Sequence, residues 1–208
     1  MKYLVVVMVA ALSAGCAVGN KHGYSAVRPE LGLQGNRSVA VAAQDARPYV
    51  VSGNKTPDFV GLQRGGFGNP FDVTTESGKP LVEDIAATVA LSLERKGFKS
   101  TAVKVAPSET RADVRPLFAQ TGSERIALLV FREWKSDTYQ NTALHYDVTL
   151  YVYDNGGNEL AAKRINGRDN LGGSAWNPPE HAKGAVPVAF ARKLEELFAS
   201  DAVAKSLR

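Results

Sequence analysis

The chain has 208 residues, 44% apolar and 22% charged, with a formal net charge of +4 and a single cysteine. That is enough apolar material for one well-cored domain, and it excludes a chain that is disordered throughout. Positive residues such as Lys21, Arg47, Lys55, Arg64, Lys99, Arg132 and Lys163 are scattered rather than massed, which argues against nucleic acid as a partner, and one cysteine excludes an internal disulfide.

Lys2 and the nine apolar residues Leu4 to Leu12 form a run too short to span a bilayer, closed by Leu12-Ser13-Ala14-Gly15-Cys16. This reads as a bacterial secretion signal ending in a lipobox, cleaved before Cys16. Residues 1–15 are then the signal peptide. Cys16 is the lipid attachment point, its thiol carrying diacylglycerol and the new N-terminal amine a further acyl chain such as palmitate. Ala17 follows the cysteine where inner-membrane lipoproteins of bacteria often carry Asp, so the expected destination is the outer membrane, facing the periplasm, with the inner membrane as the alternative. Residues 16–36 are rich in Gly, Asn, Ser and Pro and show no period, so they read as a flexible tether that includes His22.

The folded domain is expected over residues 37–208. Ser38 to Ala42 alternates as a strand does and Asp45-Ala46-Arg47-Pro48 ends it. The stretch from Ser52 to Lys79 is too long for a bland connection and is expected to be ordered or functional. A helix is predicted from Pro80 to Lys96, because Leu81, Ile85, Val89 and Leu93 recur every four residues and Glu83 and Asp84 suit the positive end of the helix dipole. Gly97 is placed to cap it in the left-handed region with Phe98 folding back, and Lys99 to Val105 reads as a strand. This strand, helix, strand unit implies a crossover between parallel strands.

A short helix closes at Gly122. Ile126 to Phe131 is apolar on both faces, as a central strand should be, and Arg132-Glu133-Trp134-Lys135 is read as its emergence into solvent. From Thr142 to Asp154 the alternation is regular: Leu144, Tyr146, Val148, Leu150 and Val152 on a covered face, His145, Asp147, Thr149, Tyr151 and Tyr153 on an open one. Asp154 to Asn158 turns this strand into another over Glu159 to Asp169. A last helix carries Val186, Phe190, Leu194 and Leu197, with Pro187 at its first turn or at a kink. The expected class is α+β, a single domain with a mixed sheet and C-terminal antiparallel hairpins packed on two main helices, in the order β-α-β-(α)-β-β-β-α.

Groups that carry chemistry are scarce. The three histidines, His22, His145 and His181, match no metal-ligand spacing, so neither a metal nor another cofactor is expected. His145 and Asp147 share a strand face and offer the one proton relay on which a small periplasmic hydrolase could be built, although alternating polar residues on an open sheet face are the ordinary outcome. Gly172-Gly173-Ser174-Ala175-Trp176 lacks the final glycine of a nucleophile elbow. The glycine-rich stretch 61–71 has two readings. In one, exposed backbone amides and Arg64 take an anion, a partner peptide, or a lipid or glycan beneath the loop. In the other, the glycines serve tight turns while Phe67 and Phe71 tuck under them. A P-loop is excluded, since Phe67 and Gly68 stand where Lys and Ser or Thr are required. Tyr151 and Tyr153, with Trp134 near the same end, form a second candidate partner-binding patch, unless the last helix or the loop carrying Trp176 covers them.

Several of these residues also carry a resemblance. The lipobox, Val39-Ala40-Val41, Asp45-Ala46-Arg47-Pro48-Tyr49-Val50, Phe59-Val60-Gly61, Arg64-Gly65-Gly66-Phe67-Gly68-Asn69-Pro70, Pro80-Leu81 and Lys96-Gly97-Phe98 together resemble the uncharacterised bacterial lipoproteins of the YajG type, over residues 12–105. More remotely, the layout is similar to envelope lipoproteins that activate peptidoglycan synthases or serve lipid transporters. The resemblance implies a lipid-anchored periplasmic domain and brings no catalytic residues. The resulting expectation is a non-enzymatic binding or adaptor lipoprotein of the bacterial envelope. It attaches to the membrane through Cys16, engages an envelope protein partner and does not bind nucleic acid.

Overall fold

Strand β6 (Arg125–Thr138) organises the molecule, because it is long enough to take two different sets of partners along one edge. Residues 125–131 run parallel to β2 (Ser38–Asp45), which is in turn parallel to β5 (Lys99–Lys104). Ser136 to Thr138 run parallel to β3 (Phe59–Arg64), which continues the sheet through antiparallel β4 (Pro70–Thr75) to the two-residue β1 (Lys21–His22). Along its other edge β6 pairs antiparallel with β7 (Asn141–Asp154), and β7 with β8 (Glu159–Gly173). The result is an α+β fold with one mixed sheet that forks on one side of β6. The computed structural model describes residues 20–208; the signal segment and Cys16 lie outside the described residues.

Helices α2 (Leu81–Glu94), α4 (Pro178–Phe198) and α5 (Asp201–Leu207) cover one face of the sheet. The regular stripe of α2, Leu81, Ile85, Val89 and Leu93, faces β2 and β5 and shares one core with Val39 and Val41 of β2 and Leu129 of β6. The opposite face is smaller and is closed by α3 (Arg115–Thr121) and the loop before it, with Leu117 and Phe118 over Ala40, Ala42, Ile126, Leu128 and Val130. The short α1 (Pro48–Val51) follows β2 directly.

The crossover from β2 through α2 to β5 forms as predicted, with Gly97 at φ +95° and Phe98 buried against the last turn. A Cβ at residue 97 would lie 2.7 Å from the Gly35 carbonyl oxygen, so the position requires glycine twice over. Both C-terminal hairpins form too. The stretch from Ser52 to Lys79 is ordered, as expected, and contains the β3–β4 hairpin, which the expected element order lacked. Of the two places expected for Pro187, the first turn is ruled out, since it lies well inside α4, and α5 adds an unexpected short final helix with Val203 and Leu207 fully buried.

β6 does not emerge into solvent at Arg132. The register with β7 shifts between Phe131 and Glu133, the mark of a β-bulge. One extra residue reverses the phase, so Phe131 and Trp134 both point to the helix-covered face. Trp134, 1% exposed, sits edge-on to Phe131, Tyr24 and Phe190 at centroid distances of 6.0, 6.4 and 5.7 Å.

The expected tether over residues 16–36 is, from Asn20 onward, part of the folded body. Tyr24, Leu31 and Leu33 are at most 2% exposed and belong to the main core. The Tyr24 hydroxyl accepts from Trp134 Nε1 at 3.1 Å, and its carbonyl accepts from Thr88 Oγ1 at 2.9 Å. Glu30 pairs with Arg95 and Lys96 at the end of α2. Three bulky apolar residues without a helical or strand period suffice to bind an irregular segment across two helices, and no periodicity test registers them.

A buried ion pair ties the fork of the sheet together. Arg47 donates from Nε and Nη2 to the Asp45 carboxylate at 2.8 and 2.6 Å, and from Nη1 to the Phe59 carbonyl at 2.6 Å. Both side chains are wholly buried. Burial opposes the guanidinium charge, and the bonds it donates to Asp45 outweigh it, so Arg47 holds its proton above the ordinary range.

Candidate functional site

At the end of the sheet where β1 begins, four segments converge around a groove of about 1200 Å³: the start of the described chain at Asn20 to His22, the β3–β4 turn, the β6–β7 turn, and the N-terminus of α4. Phe67, Phe71, Tyr139 and Trp176 line it, and Lys21, Lys183, Glu76 and Glu180 are charged residues along its sides.

The backbone of each turn is fixed. At the β3–β4 tip Gly65 N–H donates to the Asn69 carbonyl and Gly68 N–H to the Gly65 carbonyl, at 2.9 and 2.8 Å. Arg64, just before it, forms a two-pronged bond with Asp137 of β6 at 2.7 and 2.6 Å, which holds the guanidinium above its usual pKa. Tyr139 donates to the Gly66 carbonyl at 3.4 Å. Ahead of α4, Ser174 N–H donates to the Gln140 carbonyl at 3.1 Å, while Ser174 Oγ accepts from Trp176 and Asn177 N–H at 3.3 and 3.1 Å. Asn177 then caps the helix by accepting from Glu180 N–H.

Against that fixed backbone the aromatic rings are exposed, and of them only Tyr139 is tied by a side-chain hydrogen bond, to the Gly66 carbonyl. Phe67 is 100% exposed, Trp176 96% and Tyr139 47%. These are all the aromatic members of the exposed large apolar set among the described residues, and all three line the groove. The expectation that Phe67 tucks beneath the glycine-rich loop is overturned: the loop is a hairpin tip that presents Phe67 outward, while Phe71 is half-buried. On the groove wall His22 is 2% exposed, with Nε2 3.1 Å from Ser136 Oγ, and burial pushes its pKa down to about 4.

The second candidate patch does not assemble. Trp134 lies on the opposite face of the sheet from Tyr151 and Tyr153, for the reason given by the bulge. Tyr153 is 5% exposed, and burial pushes its pKa up to about 12. Arg111 lies over the Tyr151 ring at 4.4 Å and over Tyr153 at 5.8 Å, and is itself tied to Glu159 at 2.7 Å. The cover therefore comes from the loop before α3, not from the last helix or the Trp176 loop. Thr149, expected on an open face, is also buried. Of the proposed partner-binding residues, Arg64 alone lies on the groove, paired with Asp137.

His145 and Asp147 share a strand face as predicted, but Asp147 is engaged elsewhere. Asp147 accepts two bonds from Arg164, both 2.8 Å. His145 has its pKa lowered by burial and then by Lys135 and Arg168. Among the described residues no cluster of His, Cys, Asp or Glu is arranged to hold a metal ion. No described helix is long and apolar enough to cross a membrane.

A solved structure shares this fold at low sequence identity. A Xanthomonas campestris protein, XCC0632, described by the family model DUF330, superposes with a TM-score of 0.54 at 14% identity, covering 91% of this chain and 96% of that one. Lipoprotein GNA1162 from Neisseria meningitidis gives a TM-score of 0.31 at 13% identity over 75% of this chain and 99% of its own. A PelC dodecamer from Paraburkholderia phytofirmans gives 0.39 at 14%, over 83% and 94%. The first likeness shows a shared fold; the other two superpose too loosely to add to it. No family model matches the chain, and no curated protein does.

Proposed function

We propose that this protein is a lipid-anchored binding protein of the bacterial envelope, attached through Cys16, and that it engages an envelope component at the aromatic groove without catalysing a reaction. The observation that carries the reading is the groove itself: three exposed aromatic side chains on turns held by hydrogen bonds, none of which involves the Phe67 or Trp176 ring. Exposed rings on a prearranged backbone bury much area at little entropic cost, which suits recognition. The lipobox and the YajG-type resemblance support the anchor, and Ala17 after Cys16 favours the outer membrane.

Two experiments test it. Cys16→Ser should abolish metabolic palmitate labelling and release the protein from membranes; equal labelling of both forms would overturn the anchor. A photo-crosslinking residue at Tyr139, on the groove, should capture an envelope component from intact cells that the same residue at Leu160, an exposed site on β8, does not. Identical products from both positions would remove the groove as the binding surface.

A further inference from the structure

We infer that the groove rim docks into a phospholipid bilayer, with Phe67 and Trp176 entering the interfacial layer of the leaflet that holds the anchor. The inference rests on the proposed anchoring through Cys16 and names the component that the groove end meets first.

The first observation is distance along the chain. Asn20 lines the groove, and Cys16 precedes it by four residues, which span at most about 14 Å even when fully extended. If Cys16 carries the lipid, this end of the domain is held against the bilayer surface and the remainder of the fold lies beyond it. The second observation is which side chains stand there. Phe67 and Trp176 are 100% and 96% exposed, on two separate turns. Exposed apolar residues grouped together and rimmed by polar ones mark interaction surfaces, and Trp and Phe are among the side chains that enter the interfacial layer of a bilayer. The half-exposed Tyr139, beside the same groove, is suited to the same depth.

Charge is arranged compatibly. Lys21 and Lys183 are exposed along the groove, with long apolar stems that let the ammonium groups stay in the headgroup layer while their carbons follow the rings. Glu76 and Glu180 line the same groove, so attraction to anionic lipid is modest and the aromatic rings supply the specificity for the interface. Two rings alone would hold a free domain weakly. A tether a few residues long converts their insertion into an intramolecular step, for which weak contacts suffice.

The chain carries its own probe. Of the two tryptophans, Trp134 is buried and Trp176 is exposed, so a Trp176→Phe variant supplies the background emission. The mature chain from Cys16 to Arg208 is coupled through its one thiol to maleimide-phosphatidylethanolamine in vesicles of phosphatidylethanolamine and phosphatidylglycerol. Tethering is then independent of whether cells acylate Cys16, and palmitate labelling judges the anchor separately.

Docking predicts a blue shift of Trp176 emission on tethering and its quenching by lipids brominated on the acyl chain. Phe67→Asp should remove both effects while leaving the thermal melt unchanged. Emission that stays at its free-chain wavelength in tethered protein would overturn the inference. So would a blue shift without bromine quenching, which would place Trp176 against protein instead of lipid.

Discussion

The molecule contains two groups of aromatic residues that meet opposite fates. Tyr24, Phe131, Trp134 and Phe190 interlock edge-to-face between the sheet and α4, each at most 1% exposed. Phe67, Tyr139 and Trp176 stand out around the groove at the end of the same sheet. The chemistry of the rings is the same; the difference lies in the backbone that carries them. The interior rings sit on regular elements or, for Tyr24, on a segment pinned by Trp134 and Thr88, where packing selects one rotamer. Phe67 and Trp176 sit on turns closed by main-chain bonds and by Ser174 Oγ, which need nothing from either ring, and Tyr139 gives only its hydroxyl, to the Gly66 carbonyl. Turns of that kind leave a large apolar residue free for another surface.

Substitution should break this contrast most sharply inside. Trp134→Ala removes the ring shared by three neighbours and leaves the Tyr24 hydroxyl without its donor, and should cost about 3–5 kcal/mol in urea melts. A loss below about 1 kcal/mol would show that the ring is not the centre of the core. Leu150→Ala, on the covered face of β7 and fully buried, should cost about 2–5 kcal/mol. Thr149→Ala, on the other face, loses only a 3.3 Å bond from Arg132 and should cost about 1 kcal/mol. Equal costs for the two would mean that the faces of β7 are not distinguished.

His22 connects the two regions, since it lies on the groove wall yet is buried. Its pKa falls from 6.5 unfolded to about 4 folded, so the unfolded chain binds the extra proton more readily. The contribution of neutral His22 is therefore complete above pH 6.5 and is lost as the pH drops toward 4, up to about 3 kcal/mol. Stability measured across that window should decline in the wild type and flatten in His22→Asn; parallel slopes would discount the histidine. The smallest effect on stability belongs to the rim. Phe67→Ala and Trp176→Ala, singly or together, should leave the melt within about 0.5 kcal/mol of wild type. A loss of several kcal/mol would show that these rings pack on the domain after all.

Much of the fold was legible because it rests on local periodicity. The four-residue stripe of α2, the glycine cap at Gly97, the doubly apolar run from Ile126 to Phe131 and the alternation from Thr142 to Asp154 each register within a few residues of sequence. Where the reading failed, one residue of phase or one long-range contact was responsible. The bulge at Arg132 has no distinctive composition, yet it carries Trp134 from the expected solvent face into the core and separates it from Tyr151 and Tyr153. Tyr24, Leu31 and Leu33 show no period, so a segment that braces two helices reads as a tether. Arg111, far from Tyr151 in sequence, supplies a cover that no window could have contained. The groove was half visible: the glycine-rich stretch stood out, but its partner Trp176 lies more than a hundred residues away, and the two meet only across the sheet.

The amino-acid sequence by itself determined the α+β class, the crossover, the two C-terminal hairpins and the stripes of both main helices, because each follows from local pattern and composition. The tertiary structure alone decided which aromatic rings are core and which are rim. Burial of a ring depends on strand phase after a bulge and on distant segments folding over it, and neither is a property of the residues adjacent in the chain.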